Sequence, residues 1–470
     1  MQAESPAVDV GRRSGDAAAH PGRVEAARGA ERVAWAAFTT LLVVSPFRAH
    51  LVLAERPVPP VYHAYTNVVV TWSEIAVAVT LVAWLVAVGL RPRRVAFGPA
   101  AVRVPWLVVL ALAWATAPFA ADPALAVSNA LGLTLAGGLA VFVVNAVRSL
   151  DRLAPALVVL LVVHGAIAAA QVATQGSVGL GALGERAVTP ATAGASVVAA
   201  ADGTRFLRGY GLADHPNILG GVAVAAGLLV VLAGRLRQVA LATIAAWTAV
   251  AVLLTFSRSA WLAGVIGLFI ASGALLATRD RTGMVRLARA GALAAACLAI
   301  AALPLSPYLA TRLEPGRADV PLEARSVDER AALTAATVSV VADHPLTGVG
   351  AGGLPVALRD ADPDFAFSYQ PAHLVPLTVA AELGVAGGVA WVAGAAAPWF
   401  LLARSRRRWT AELSAASAVL AALTVVALLD YYSWTFPAGR IWWWLAIGLW
   451  VVAWRNAHEA PTGSPRTAGA

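Results

Sequence analysis

The stretch FSRSAW, residues 256–261, sets an arginine between two serines inside about forty otherwise apolar residues. A guanidinium is planar, permanently charged and forked, so it grips phosphate oxygens two at a time. At a helix end in lipid, the same side chain can instead snorkel its charge to headgroups. On the residues alone, both readings of Arg258 stand. Glu382, in AELGVAGG, is a second costly charge, about nine residues inside an apolar run. A carboxylate at that depth is paired or faces a cavity. It serves either as partner to an arginine such as Arg258 or Arg330, or as a working group. Two polar segments carry further candidates. RFLRGYGLADHPN (205–217) closes on a helix-entry turn in which Asp214 can cap the next helix and Asn217 fixes its first backbone groups. VDERAALTAATVSVVADHPLTGVGAGGLP (327–355) combines Arg330, His344 and four glycines, Gly348, Gly350, Gly352 and Gly353. Arg325 and Arg330 either touch phosphate or decorate a solvated helix face.

The elements that hold these residues are set by composition. Of 470 residues, 59% are hydrophobic and only 13% charged, with a mean hydropathy of +0.72. A soluble globule is nearer a quarter charged, so the chain reads as a membrane protein. Apolar runs recur at lengths that cross about 30 Å of hydrocarbon, and lipid leaves the backbone no partner outside a helix. The expected class is all-α: a polytopic integral membrane bundle of about twelve helices. Spans are expected near 31–45, 72–90, 104–121, 127–147, 153–174 and 216–234, then 238–256, 259–277, 287–306, 374–402, 410–429 and 441–454. Residues 1–30 and 455–470 read as disordered cytoplasmic tails flanking a membrane domain at 31–454, and no cleavable signal peptide is apparent at the start.

Charge fixes the orientation. All 35 basic residues are arginine, and if the spans alternate from a cytoplasmic N-terminus, most fall in short loops on that side. This is the positive-inside pattern, and it places both termini in the cytoplasm. The net charge of +9 is therefore topological, not a nucleic-acid footprint. The longest outer segment, about 307–372, holds five Arg against nine Asp and Glu. Within it, 328–342 reads as an amphipathic helix with Leu333, Val338 and Val341 among its apolar positions. That helix must stop near His344-Pro345, because the residue before proline resists helical geometry. Tryptophans such as Trp442, Trp443 and Trp444 suggest an interfacial belt. The single cysteine, Cys297, lies in an apolar run, so no disulfide framework or thiolate metal site is read. No His/Cys metal spacing and no nucleotide-binding glycine loop appears.

Three stretches, in this order and on the outer side, resemble the O-antigen ligase and polymerase superfamily of polytopic bacterial glycosyltransferases. They are RGYGLADHPNILGG (208–221), FSRSAW (256–261) and DHPLTGVGAGGLP followed by AHLVPLTVAAELGVAGG (343–388). LLVVSPFR (41–48) is similar as well, and the likeness runs from about 31 to 454. The resemblance implies a metal-independent, inverting glycosyltransferase without a cofactor, in the plasma (inner) membrane among lipids. It would move a glycan from an undecaprenyl-diphosphate carrier to an acceptor hydroxyl on a glycan or glycolipid. It implies that Arg208 and Arg258 hold the diphosphate and that His373, in PAHLVP, serves near the acceptor. Such roles suit these side chains: a leaving diphosphate gains charge in the transition state, where fixed cations stabilise it, and neutral imidazole can take the hydroxyl proton. The family commonly reads His-Asn where this chain has His373-Leu374, which removes a polar neighbour. His344 is the rival histidine. Glu382 would orient His373 or the acceptor, and Asn217 and Arg330 would contribute to substrate binding. Ligases, which deliver a finished chain to lipid A core or another surface acceptor, are preferred here over polymerases of the same superfamily. A secondary transporter or lipid-glycan flippase is the alternative of another class. An alternating-access carrier would be expected to show discontinuous helices in matching halves.

Overall fold

The computed structural model describes residues 21–313, 321–405 and 409–459; the outer parts of both expected tails and the arginines at 406–408 lie outside the described residues. In chain order the helices are α1 (Pro21–Val44), α2 (His63–Thr66), α3 (Trp72–Leu90), α4 (Ala100–Ala115), α5 (Pro123–Ala146), α6 (Ala154–Thr174), α7 (Pro216–Ala233) and α8 (Gln238–Leu254). They continue as α9 (Arg258–Thr278), α10 (Arg281–Leu313), α11 (Pro321–Asp343), α12 (Leu354–Ala361), α13 (Val375–Arg404), α14 (Ala411–Leu429), α15 (Tyr432–Thr435) and α16 (Pro437–Glu459). Eight of these are long and apolar enough to cross a membrane, and α4 and α8 are shorter apolar helices. With α1 and α16 they occupy the twelve expected positions. The protein is an all-α, polytopic membrane bundle.

Local sequence explains the helix starts. Thr71 and Glu74 form a reciprocal capping box at α3. Asp122, Ser257 and Thr410 cap α5, α9 and α14 through their side chains. Helices α5 and α7 open on Pro123 and Pro216, where the missing N–H is not needed. Asp214, the expected cap of α7, is instead paired with Arg48 at 3.1 Å. The cap is His215, whose Nδ1 accepts from the Asn217 N–H at 3.1 Å.

Two sets of loop contacts define the ends of the bundle. One end joins Arg48 to Leu212, Ala121 to Val349, Thr311 to Ala199, and Asn217 to Asp430. The other joins Arg93 to Glu31, Asn145 to Ala96, Ser149 to Glu412 and Arg286 to Leu236. The first end carries two small antiparallel hairpins. In one, β1 (His50–Ala54) pairs with β2 (Val68–Thr71); in the other, β3 (Val197–Ala199) pairs with β4 (Arg205–Leu207). It also carries the large loop with α11 and α12.

Several expectations shift. Helix α1 starts inside the stretch read as a tail, and α10 runs on to Leu313. Helix α11 does end at Asp343, just before the His344-Pro345 break, but its buried stripe is Leu333, Thr337 and Val340 while Val338 is 52% exposed. The stripe follows helical spacing of three and four residues, and it packs on Val349, Leu354 and Ala381. Trp442, Trp443 and Trp444 form no interfacial belt; all are buried in the core around α16. The polar edge of Trp442 is satisfied without headgroups, donating to Ser45 at 2.9 Å, and Trp443 stacks on Trp391 at 4.9 Å.

Helix α13 is broken. Gly384 sits at φ 76° and ψ 171°, outside helical geometry. The glycine loop of 345–353 fills the break: Val349 and Gly350 donate to the carbonyls of Ala381 and Glu382 at 2.9 Å, and Val385 donates to Pro345 at 2.8 Å. A Cβ on Gly348 would lie 2.4 Å from the Glu382 carbonyl carbon, and one on Gly384 2.3 Å from the Leu346 oxygen. Glycine is required where two backbones meet this closely.

Candidate active site

A cavity of about 400 Å³ lies at the loop-bearing end, between the β3–β4 hairpin, the end of α10, the start of α11, the segment before α13 and the turn after α14. Its wall brings together Arg208, Asn217, Arg330 and His373, which the sequence had singled out, with Arg205, Arg312, His215, Asp430 and Tyr431.

Arg208 is 3% exposed and fully engaged. Its Nε donates to the Thr255 carbonyl at 2.6 Å, Nη1 to Ser196 Oγ at 2.7 Å, and Nη2 to Asn217 Oδ1 at 2.5 Å. The segment that presents it is ordered by Gln171, whose side-chain oxygen accepts from the N–H groups of Tyr210 and Gly211. Asn217 is a bridge: it accepts from Arg208 and donates to Asp430 Oδ2 at 2.7 Å. Asp430 also accepts from the Tyr431 N–H. Burial pushes the Asp430 carboxyl above its ordinary value, while Arg330, the Asn217 amide and Arg208 pull it back. On the opposite wall, Arg312 donates to the Phe256 carbonyl at 3.1 Å, and Thr311 ties the same helix end to Ala199 at 2.8 Å. Arg205 stands at the exposed rim and Arg330 is half-buried on α11.

His373 immediately precedes the N-cap of α13. Its ring packs edge-on against Tyr431 at 4.9 Å, and its Nδ1 is buried without a hydrogen-bond partner. Burial, reinforced by the positive charge of Arg330, lowers its pKa to about 3. The imidazole is therefore neutral near pH 7, with a lone pair available. Tyr431 donates to Gln370 at 2.9 Å and Gln370 donates to Glu329 at 3.0 Å, which ties the histidine's support to α11. His215 is likewise held neutral, by burial and then Arg208, but its Nδ1 is taken by the helix cap. His344, the rival, is exposed at the end of α11 and lines neither this cavity nor the one described next.

Two expected members sit elsewhere. Arg258 is half-buried as the first residue of α9 and is not on the cavity wall. What reaches the cavity from that stretch is the preceding turn, whose carbonyls at Thr255 and Phe256 hold Arg208 and Arg312. Glu382 is 1% exposed and faces a separate cavity of about 250 Å³, where Trp434 donates to it at 2.7 Å. Neither Arg258 nor Arg330 shares that cavity; Arg440 does. Asp430 and Arg440, charged residues at the loop-bearing end of the bundle, are both buried, at 4% and 6% exposure. Arg205 and Arg312 went unnoticed in the sequence. Their signal was faint: Arg205 lies three residues before Arg208, and Arg312 lies at the outer end of a long apolar run.

Chemically, this cavity is a four-arginine pocket with one buried carboxylate and one neutral, unpartnered histidine. It suits a multiply charged anion whose neighbour must lose a proton. A search of curated proteins finds no match to the chain. Residues 241–392 match the family model described as O-antigen ligase, a stretch that runs from α8 into α13 and includes Arg258, Arg312, Arg330, His373 and Glu382. Through this stretch the chain is similar to the O-antigen ligase family, and the matched part supplies Arg312, Arg330 and His373 to the pocket.

Proposed function

We propose that the protein is an inverting glycosyltransferase that takes a glycan from undecaprenyl diphosphate and joins it to an acceptor hydroxyl at the outer face of the plasma membrane. The observation that carries this reading is the convergence of Arg205, Arg208, Arg312 and Arg330 on the cavity that holds neutral His373. The acceptor oxygen attacks the anomeric carbon, and the carbon–oxygen bond to the diphosphate breaks with its electron pair. The acceptor proton passes to His373. The departing diphosphate gains negative charge as it leaves, and arginines already fixed by Thr255, Ser196 and Phe256 meet that charge without reorganising. Arg258 acts one step back, at the start of the helix whose preceding turn anchors two of those arginines. An apolar crevice of about 340 Å³, lined by α7, α8, α9 and α10 and reaching Leu253 and Trp261 below the same turn, suits the carrier's lipid chain.

A carrier protein would need an opening between paired discontinuous helices. Here the break in α13 is filled by backbone of the glycine loop. The test is direct transfer: purified protein in lipid, a radiolabelled undecaprenyl-diphosphate glycan, and candidate acceptors. Removing a preorganised charge-stabilising donor typically lowers rate by about 10²–10³, so Arg208→Ala should do so; removing a general base costs about 10²–10⁴, so His373→Ala should as well. A single shifted product on a distinct acceptor identifies a ligase, and a ladder of lengths a polymerase. An untouched donor with every acceptor refutes the proposal.

A further inference from the structure

The second cavity differs in kind from the arginine pocket. Its wall includes Glu382 and Glu74 alongside Arg440, with Asn129, Thr435 and the rings of Tyr65 and Phe436. Charges of both signs are present, so no anion is called for. Three buried polar atoms of its wall lack hydrogen-bond partners: Glu382 Oε1, Arg440 Nε and Thr435 Oγ1. A buried polar group without a partner is costly, and one carboxylate oxygen, one N–H and one hydroxyl left open around a single cavity ask for a ligand that both donates and accepts. Aromatic faces beside such groups suit the apolar face of a sugar ring. The volume suits a group of about one ring, being below the range of drug-sized sites.

The two cavities adjoin. Ile218 and Phe436 line both. Tyr65 of the second bonds Tyr431 of the first, hydroxyl to hydroxyl, at 2.8 Å, and Tyr431 is the ring on which His373 packs. We infer that the Glu382 cavity is a saccharide subsite, which seats the terminal uncharged sugar of the acceptor so that its hydroxyl reaches His373 past the Tyr65–Tyr431 pair. The binding claim stands on this cavity; the acceptor role rests on the function proposed above. Glu382 Oε1 accepts from a sugar hydroxyl and Arg440 donates to one, while Trp434 already occupies the other carboxylate oxygen, Oε2, and leaves Oε1 for the ligand.

The test uses the full chain in lipid nanodiscs and two probes read separately. Free glucose, galactose, rhamnose and N-acetylglucosamine are assayed by saturation-transfer NMR, and inorganic pyrophosphate by calorimetry. At least one sugar should bind wild type. Glu382→Gln keeps the shape but weakens a charge-assisted contact, and sugar affinity should fall about tenfold or more while pyrophosphate affinity stays unchanged. Ser128→Phe, which fills the cavity from a half-buried position without removing a buried charge, should do the same and decides the matter if Glu382→Gln misfolds. Arg208→Ala should show the reverse pattern. If no sugar binds wild type, or both cavity variants bind as wild type does, the subsite does not exist. If sugar binding depends on Glu382 but pyrophosphate does not bind, the subsite stands and the diphosphate reading fails.

Discussion

A base with a pKa of about 3 is a poor one at neutral pH, and this sets up a sharp expectation for His373. Burial and Arg330 depress its pKa in the empty site. A diphosphate seated among Arg205, Arg208, Arg312 and Arg330 brings compensating negative charge. Two charges at about 8 Å, with an effective dielectric of about 20, contribute roughly 4 kcal/mol, or about three pKa units. The histidine should then titrate near 6 in the donor complex, close to the value a general base needs. Protonation removes the base, so the rate falls as pH drops below whichever pKa governs. The acid limb of kcat/KM, which reports free protein, should lie near pH 3–4, and that of kcat, which reports the complex, near 6. Histidine-selective NMR with inorganic pyrophosphate checks the same shift without turnover. Stability has its own sign. A histidine held neutral in the fold but titrating near 6.5 when unfolded stabilises the fold fully above that pH. It loses this contribution progressively as pH falls from about 6.5 towards 3. Coincident acid limbs for kcat and kcat/KM, or a His373 resonance that pyrophosphate does not move, would refute the reasoning.

Three further expectations follow from single contacts. Asn217→Asp puts a carboxylate against Asp430 in place of an amide that donates to it at 2.7 Å; it should lower the thermal midpoint and pyrophosphate affinity more than Asn217→Ala, and equal behaviour of the two would dismiss the bridge. Arg312→Gln removes one cavity cation, and calorimetry should show pyrophosphate binding weaker by about tenfold; unchanged affinity would exclude Arg312 from the anion site. Gly384→Ala forces a Cβ to within 2.3 Å of the Leu346 oxygen at a positive φ, a strain of about 1–3 kcal/mol, so the unfolding midpoint should drop, and a wild-type midpoint would mean that the break in α13 is not held as described.

The fold was legible because lipid imposes one rule on every span: apolar length and helical hydrogen bonding go together. Span limits such as Trp72–Leu90 match to the residue, since Thr71 and Glu74 announce one end and Arg91 the other. The candidate site was legible only in part. Arg208, Asn217, Arg330 and His373 lie on segments whose turns and motifs mark them, and they do meet. What sequence distance hides is which carbonyl faces which guanidinium. Arg258 looked like the anion grip because it is the odd charge in an apolar run, while the turn beside it does the anchoring and Arg312, from another helix, supplies the cavity charge. Trp442 misled in the opposite sense. Amphipathic side chains usually mark an interface, and only the packed position of α16 shows that the Trp442 indole finds its partner inside, in Ser45.

One element ties the two cavities together. His373 precedes the first turn of α13, and Glu382 lies at the end of the same half-helix, just before the break at Gly384. The glycine loop bonds to the carbonyls of Ala381 and Glu382, so the backbone that aims Glu382 is fixed by the loop and not by the rest of α13. Thr378 reaches back to the Ala372 carbonyl at 3.1 Å and fixes the other end beside His373. The half-helix is thus clamped at both ends, and the histidine and carboxylate cannot move independently without breaking one of these bonds. A continuous α13 would keep its own hydrogen bonds at Ala381 and Glu382 and leave the loop nothing to grip. The break at Gly384 is therefore what allows a surface loop to set the geometry between a buried histidine and a buried carboxylate, each facing its own cavity.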